Sequence, residues 1–213
     1  MSSALHLPTG STRTALRAVA ATTGLVSALG LLAELGEYLW GAPEAWVELF
    51  SLSYEANVPT WYASVLLVGC AAVCLVLRSH HPDRRWLILA VLFTYVSLDE
   101  AVQIHEHAAF FATRGVLTFS WVIPAAAVVA LLGVWLGPWL LRLPDPLRRR
   151  FALSATLYLT GALGMELPLG WWTDRYGDDN LVYGLIDWVE ETLELTGAGV
   201  FLLAAWAHAE AEA

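Results

Sequence analysis

The sequence predicts an all-α fold, an integral membrane bundle of about six transmembrane helices, and three observations carry that expectation. Hydrophobic residues make up 58% of the 213 and charged residues only 15%, where a soluble domain carries roughly a quarter. Mean hydropathy is +0.58. The apolar residues also gather into stretches of the length a bilayer demands, about 20 residues for one helical crossing.

Six windows meet that length, roughly 14–36, 58–78, 85–108, 118–141, 151–173 and 183–208. They leave no room for a soluble domain, so residues 1–213 read as one transmembrane helical domain. Between them lie residues that break helices and turn chains: Gly41-Ala42-Pro43, His81-Pro82-Asp83, Leu143-Pro144-Asp145-Pro146 and Gly177-Asp178-Asp179-Asn180. The first window has the makings of a signal peptide, with Arg13 and Arg17 ahead of an apolar core. It lacks a small-residue cleavage site before a polar start, and is read as a retained helix.

Arginine sets the expected orientation, because cytoplasmic loops accumulate basic residues. Apart from Arg114 and Arg175, all 11 basic residues lie before the first window, between the second and third, or between the fourth and fifth. Both termini are therefore expected on the cytoplasmic side of a bacterial plasma or inner membrane, with the chain multi-pass. Trp40, Trp46, Trp61, Trp121, Trp171 and Trp172 then fall near the outer interface, where amphipathic rings prefer to sit.

Composition also excludes. All the basic residues are arginine, so a retinal Schiff base and any lysine nucleophile are ruled out. A net charge of -9, with no basic stripe, argues against nucleic acid as a partner. Cys70 and Cys74, four apart in apolar sequence, read as small buried hydrophobes on one helix face. His6, His80, His81 and His208 fall in cytoplasmic segments and are expected to be solvated.

The acids are distributed unevenly. Of 20 Asp and Glu, all but Asp83, Asp145, Glu210 and Glu212 belong to the outer half or outer loops. Several interrupt helices still inside hydrocarbon, where an ionisable group costs several kcal/mol unless it pairs, neutralises or snorkels. A rise of about 1.5 Å per residue puts Asp99 roughly 21 Å across the third helix and Glu166 about 22 Å along the fifth. Glu190 and Glu194 lie about 10–16 Å into the sixth, from the opposite direction. Asp99, Gln103 and Glu106 share one face, with Glu100 and His107 at its edge, and Asp187, Glu190 and Glu194 share another. His105 points elsewhere unless the helix end unwinds. Glu34 and Glu37 fall near the same level, and Pro168 is placed to distort the helix beside Glu166.

Five or more carboxylates in one low-dielectric slab cannot all be charged without compensation by shared protons, a cation or water. Acids and histidine at i+3, i+4 and i+7 on facing helices are how bundles build carboxylate-rich metal sites. The expected donors to a divalent metal (zinc, iron or manganese) are Asp99, His105, Glu106, Glu166, Glu190 and Glu194. Glu100 and Glu191 are the candidate catalytic bases. The di-iron Glu-x-x-His pairs, HExxH and GxSxG are absent.

Ser97-Leu98-Asp99-Glu100 followed by Ile104-His105-Glu106, Glu190-Glu191 with Glu194, and Glu55-x-Asn57-x-Pro59-Thr60 resemble a group of uncharacterised prokaryotic polytopic membrane proteins. The resemblance spans most of the chain and implies six helices, with no established activity to carry over. The ceramidase and progestin-receptor-like membrane hydrolases are a poorer match, because their terminal HxxxH pattern is missing here.

The resulting expectation is an outward-facing carboxylate/histidine site, in a metal-dependent membrane enzyme acting on a lipid-borne or periplasmic small substrate. A cation or proton-coupled transporter is the alternative, and a non-catalytic assembly partner a third. The bilayer is the expected partner in each.

Overall fold

The computed structural model describes residues 11–105, 111 and 113–212, and every regular element among them is helical. Helix α1 (Ser11–Leu35) runs into a π-helical turn, Gly36–Trp40, that ends on Gly41 in the left-handed region (φ 63°). A short helix α2 (Glu44–Phe50) follows in a stretch the sequence reads as loop. Helix α3 (Val58–His80) begins at Asn57, whose Oδ1 accepts from the Thr60 amide at 3.1 Å. The same side chain donates to the carbonyls of Ser51 and Tyr54, so one residue caps the helix and ties down the loop before it.

Helix α4 (Arg84–Val102), capped by Asp83, stops earlier than the expected 85–108. Gln103 takes the left-handed conformation (φ 58°), and the Asp99 carboxylate accepts the His105 backbone N–H, so the helical ladder cannot continue. Helix α5 covers Val122–Leu140. The expected fifth span is a longer rod in three parts: α6 (Asp145–Leu159), a π-helical segment (Thr160–Met165) and α7 (Glu166–Tyr176). The irregularity thus lies just ahead of Pro168, where the wider turn makes room for the ring and the missing N–H. Helix α8 (Leu181–Ala211), capped by Asn180, closes the fold.

Helix α8 is the central post, packed on α1, α3, α6 and α7, while α4 packs on α3. Leu66, Leu67, Cys70, Val73, Cys74 and Leu77 of α3 join Leu195, Ala198, Leu202 and Ala205 of α8 in one core. Aromatic rings fill the arginine-rich end: Phe201 lies 4.5 Å from Phe93 and 4.6 Å from Phe151, and Trp86 meets Trp139 edge-on at 4.9 Å. Small polar side chains bond between helices, Ser27 with Thr192 at 2.6 Å and Ser64 with Ser97 through reciprocal 3.0 Å bonds to carbonyls. Such bonds let backbones approach without leaving a buried hydroxyl unpaired.

Long-range contacts fix an up-and-down arrangement. The Thr12 amide donates to Glu210 at 3.0 Å, and His81, Arg84, Trp139, Pro144 and Glu212 line one cleft. The start of α1, the α3–α4 turn, the α5–α6 turn and the end of α8 therefore share one end of the bundle, which gathers the arginines. The acids gather at the other.

Three helices have the length and apolarity to cross a membrane: Thr12–Trp40, Val58–His80 and Val122–Leu140. The other three expected spans do not combine the needed length, apolarity and low charge: α4 carries Arg84, Arg85, Asp99 and Glu100, α8 carries Asp187, Glu190, Glu191 and Glu194, and the fifth is divided among α6, a π-helical segment and α7. Val134 is 78% exposed and Leu131 71% on α5, which has apolar surface facing away from the bundle, an arrangement suited to lipid rather than water. These features indicate membrane association.

Candidate functional site

At the acid-rich end, α8 is approached closely because glycine occupies the crossing points. A Cβ on Gly184 would overlap the Glu34 carboxylate, and one on Gly161 would lie 2.7 Å from both the Glu190 carbonyl and the Glu194 side chain. Gly197 similarly faces the Tyr158 backbone. With these gaps open, Glu34 is 1% exposed, and Glu166 and Glu190 are each 6% exposed. The Ser51 hydroxyl donates to Glu34 and the Tyr54 hydroxyl to Glu37.

Glu100 of α4, Tyr158 of α6 and Glu191 and Glu194 of α8 converge on a void of about 10 Å³, closed on its other sides by Ala63, Leu66, Leu67, Leu195 and Ala198. That volume is at the lower limit for one water molecule. The Tyr158 hydroxyl is directed at Glu194. Glu100, Glu191 and Glu194 lie close enough to act on one another electrostatically, and His105 acts on both Glu100 and Glu194. The two residues taken from sequence as catalytic bases, Glu100 and Glu191, therefore share the void with only one of the expected metal donors, Glu194.

The remaining expected donors are arranged around it. The end of α4 has unwound, as His105 requires: its Nδ1 lies 2.9 Å from Asp99 Oδ2 and its backbone N–H bonds to Asp99 Oδ1 at 3.0 Å. The imidazole also packs on Trp121, with centroids 5.1 Å apart, and the Trp121 indole N–H donates to Glu166 at 3.0 Å. Asp99, His105, Trp121 and Glu166 thus form a chain of polar and aromatic contacts from α4 to α7. Asp187 Oδ2 is buried near Ser53, within electrostatic range of Glu34, Glu55 and Glu166. Glu55 accepts from Thr60 and acts on Glu100, as expected of a residue closing over the layer. Glu106 and His107 lie outside the described residues, as does His6.

The sequence reading missed a second cluster, at the arginine-rich end. His81 and His208, expected to be solvated, and Glu212, expected only on the cytoplasmic side, offer donor atoms that all lie within 4.8 Å of one another. Among the described residues, no acid-layer trio of such donors comes that close. His81 Nε2 is 3.2 Å from Glu212, and the two imidazoles stack nearly parallel with centroids 6.2 Å apart. No spacing rule could have found this set, because its members come from the α3–α4 turn and the far end of the chain.

Fold and site together define an all-helical protein with helices able to cross a membrane and carboxylates converging inside one end of the bundle. The chain belongs to an uncharacterised family, the domain of unknown function DUF8692, which it matches over residues 14–209. No curated protein and no solved structure matches it.

Proposed function

We propose that this is a multi-pass protein of a bacterial plasma or inner membrane whose acid-rich end binds a divalent cation and supports metal-dependent chemistry on a lipid-borne or periplasmic small molecule. The observation that carries the reading is the convergence of Glu100, Glu191, Glu194 and Tyr158, from three helices, on one void. Like-charged carboxylates at this depth need a counter-charge, and a cation of the zinc, iron or manganese class supplies it. Glu100 and Glu194 are the proposed donors, with Asp99, His105, Glu166 and Glu190 around them. Such a cation polarises what it binds, and Glu191 is placed to take up the proton released. Six crossings with both termini cytoplasmic fit the reading, since the arginines then face the cytoplasm and the acids face outward.

Metal analysis of untagged protein, purified in detergent without chelator, tests it. Near-stoichiometric zinc, iron or manganese is expected, and the metal content falls in a folded Glu100→Gln/Glu194→Gln variant while any metal held by His81, His208 and Glu212 stays. Protein without metal sinks the proposal.

The Asp99–His105 pair favours a second reading, proton-coupled transport. An imidazole against a carboxylate, within electrostatic range of Glu100 and Glu194, gives a group of side chains among which protons can be held and exchanged. In that case proteoliposomes acidify on a cation gradient, and Asp99→Asn abolishes the flux.

A further inference from the structure

The arginine-rich end carries a cluster that the acid layer does not involve. His81 sits in the turn after α3, and His208 and Glu212 lie in and just beyond the last turn of α8, so two segments distant in sequence present two imidazoles and one carboxylate to one point. All three residues line a cleft of about 810 Å³, together with Asp83, Arg84, Arg85, Trp86, Trp135, Trp139 and the α5–α6 turn.

We infer that His81, His208 and Glu212 form a second metal site, for a divalent transition cation of the zinc class, separate from the carboxylates of the acid-rich end. Two neutral imidazoles and one carboxylate match the N/O preference of zinc, cobalt and nickel, whereas magnesium and calcium favour all-oxygen sets. Three protein donors leave a fourth position for water or a ligand, and the cleft supplies the space. Donors to a tetrahedral ion with bonds of about 2.0–2.1 Å stand about 3.4 Å apart. His81 Nε2 and Glu212 already meet that spacing at 3.2 Å, and the His208 donor, within 4.8 Å of both, needs only a small side-chain adjustment to join them.

The positive charge in the cleft does not forbid a cation there. Arg85 is paired with Asp83 at 3.0 Å and its guanidinium is drawn over Trp135, 5.9 Å from the ring centre. The set itself carries one negative charge through Glu212, so a divalent ion leaves a net charge of about +1 at a solvent-facing position, which water and salt screen. Binding also links the α3–α4 turn to the end of α8, and so stabilises the assembled bundle over the open one.

Cobalt(II) is the probe, because tetrahedral coordination gives strong visible absorption and zinc competes it away. Full-length protein without a polyhistidine tag is titrated in detergent, beside His81→Ala, His208→Ala, Glu212→Gln and Glu194→Gln. The native chain is expected to show a saturable visible band, reversed by zinc, together with a zinc-dependent rise in melting temperature. The share of both signals that belongs to this site disappears in His81→Ala and His208→Ala, weakens in Glu212→Gln and persists in Glu194→Gln. The histidine substitutions lie on exposed or half-buried surface, so these variants should keep the native helical signal without metal. A native chain with no band, or a band unchanged by loss of both histidines, overturns the inference. A band lost only in Glu194→Gln assigns the metal to the acid-rich end, and overturns it too.

Discussion

At the scale of single residues, the acid-rich end is organised by a few directed bonds. Replacing Trp121 with Phe removes a buried indole donor to Glu166 while keeping most of the packing on His105. The expected cost is about 1–3 kcal/mol, read as a lower melting temperature in detergent. Tyr54 provides a pH readout outside the spans: desolvation, then its bond to Glu37, push its phenol up to about 12. A phenol held protonated by the fold contributes stability that is complete below pH 10 and is lost as pH rises through about 12. Ultraviolet titration should therefore show late-titrating tyrosine absorbance that falls by one residue's share in Tyr54→Phe, and an unchanged late phase in that variant would contradict the assignment. Cys70 and Cys74 are fully buried, and Cys70 contacts the Ala198 carbonyl, so maleimide should label neither before unfolding. Helical spacing made the acids legible, because i, i+3 and i+4 positions share a face whatever the tertiary contacts. It did not show which of them meet. The void draws on Glu100, placed at the edge of its face, and on Glu191, outside the shared face of its helix, because the packing of α3, α6 and α8 decides which acids meet. His81 and His208 were invisible for the opposite reason, since nothing local marks a pair made only by folding.

At the scale of elements, the bundle depends on glycines that bring α8 against its neighbours. Gly197→Ala drives a methyl into the Tyr158 backbone, which cannot rotate away as a side chain could. Gly184→Ala presses on the Glu34 carboxylate. Each is expected to destabilise by about 1–3 kcal/mol, whereas Gly133→Ala on α5, with open space around it, should be neutral or slightly stabilising. Thermal melts of the three variants side by side check the ordering, and equal melting temperatures would refute it. Five of the six expected segments coincide with single helices to within a few residues at most boundaries, except where α4 ends early, because long apolar runs and Pro/Gly turns are local signals. The sixth, at 151–173, contains a π-helical segment that no pattern of apolar residues encodes. Helix α2 was missed because seven residues are too few to show a period.

At the scale of the whole molecule, both ends of the bundle have distinct chemistry, and the up-and-down arrangement puts each loop at one end or the other. In a Cys70→Ser/Cys74→Ser background, Arg84→Cys and Arg149→Cys should react with an impermeant maleimide from the same side of the membrane. Asp178→Cys should react from the opposite side. Labelling of all three from one side would refute a spanning bundle. The central place of α8 has a further consequence for how the protein is made. Chains are synthesised from the N-terminus, yet the helix on which α1, α3, α6 and α7 pack follows all of them in sequence. Until it emerges, the earlier helices lack the post they pack on, and Glu34, Glu100 and Glu166 lack their final neighbours. A ribosome that stops near residue 180 therefore leaves a set of segments with no post to assemble on, a ready substrate for membrane quality-control proteases.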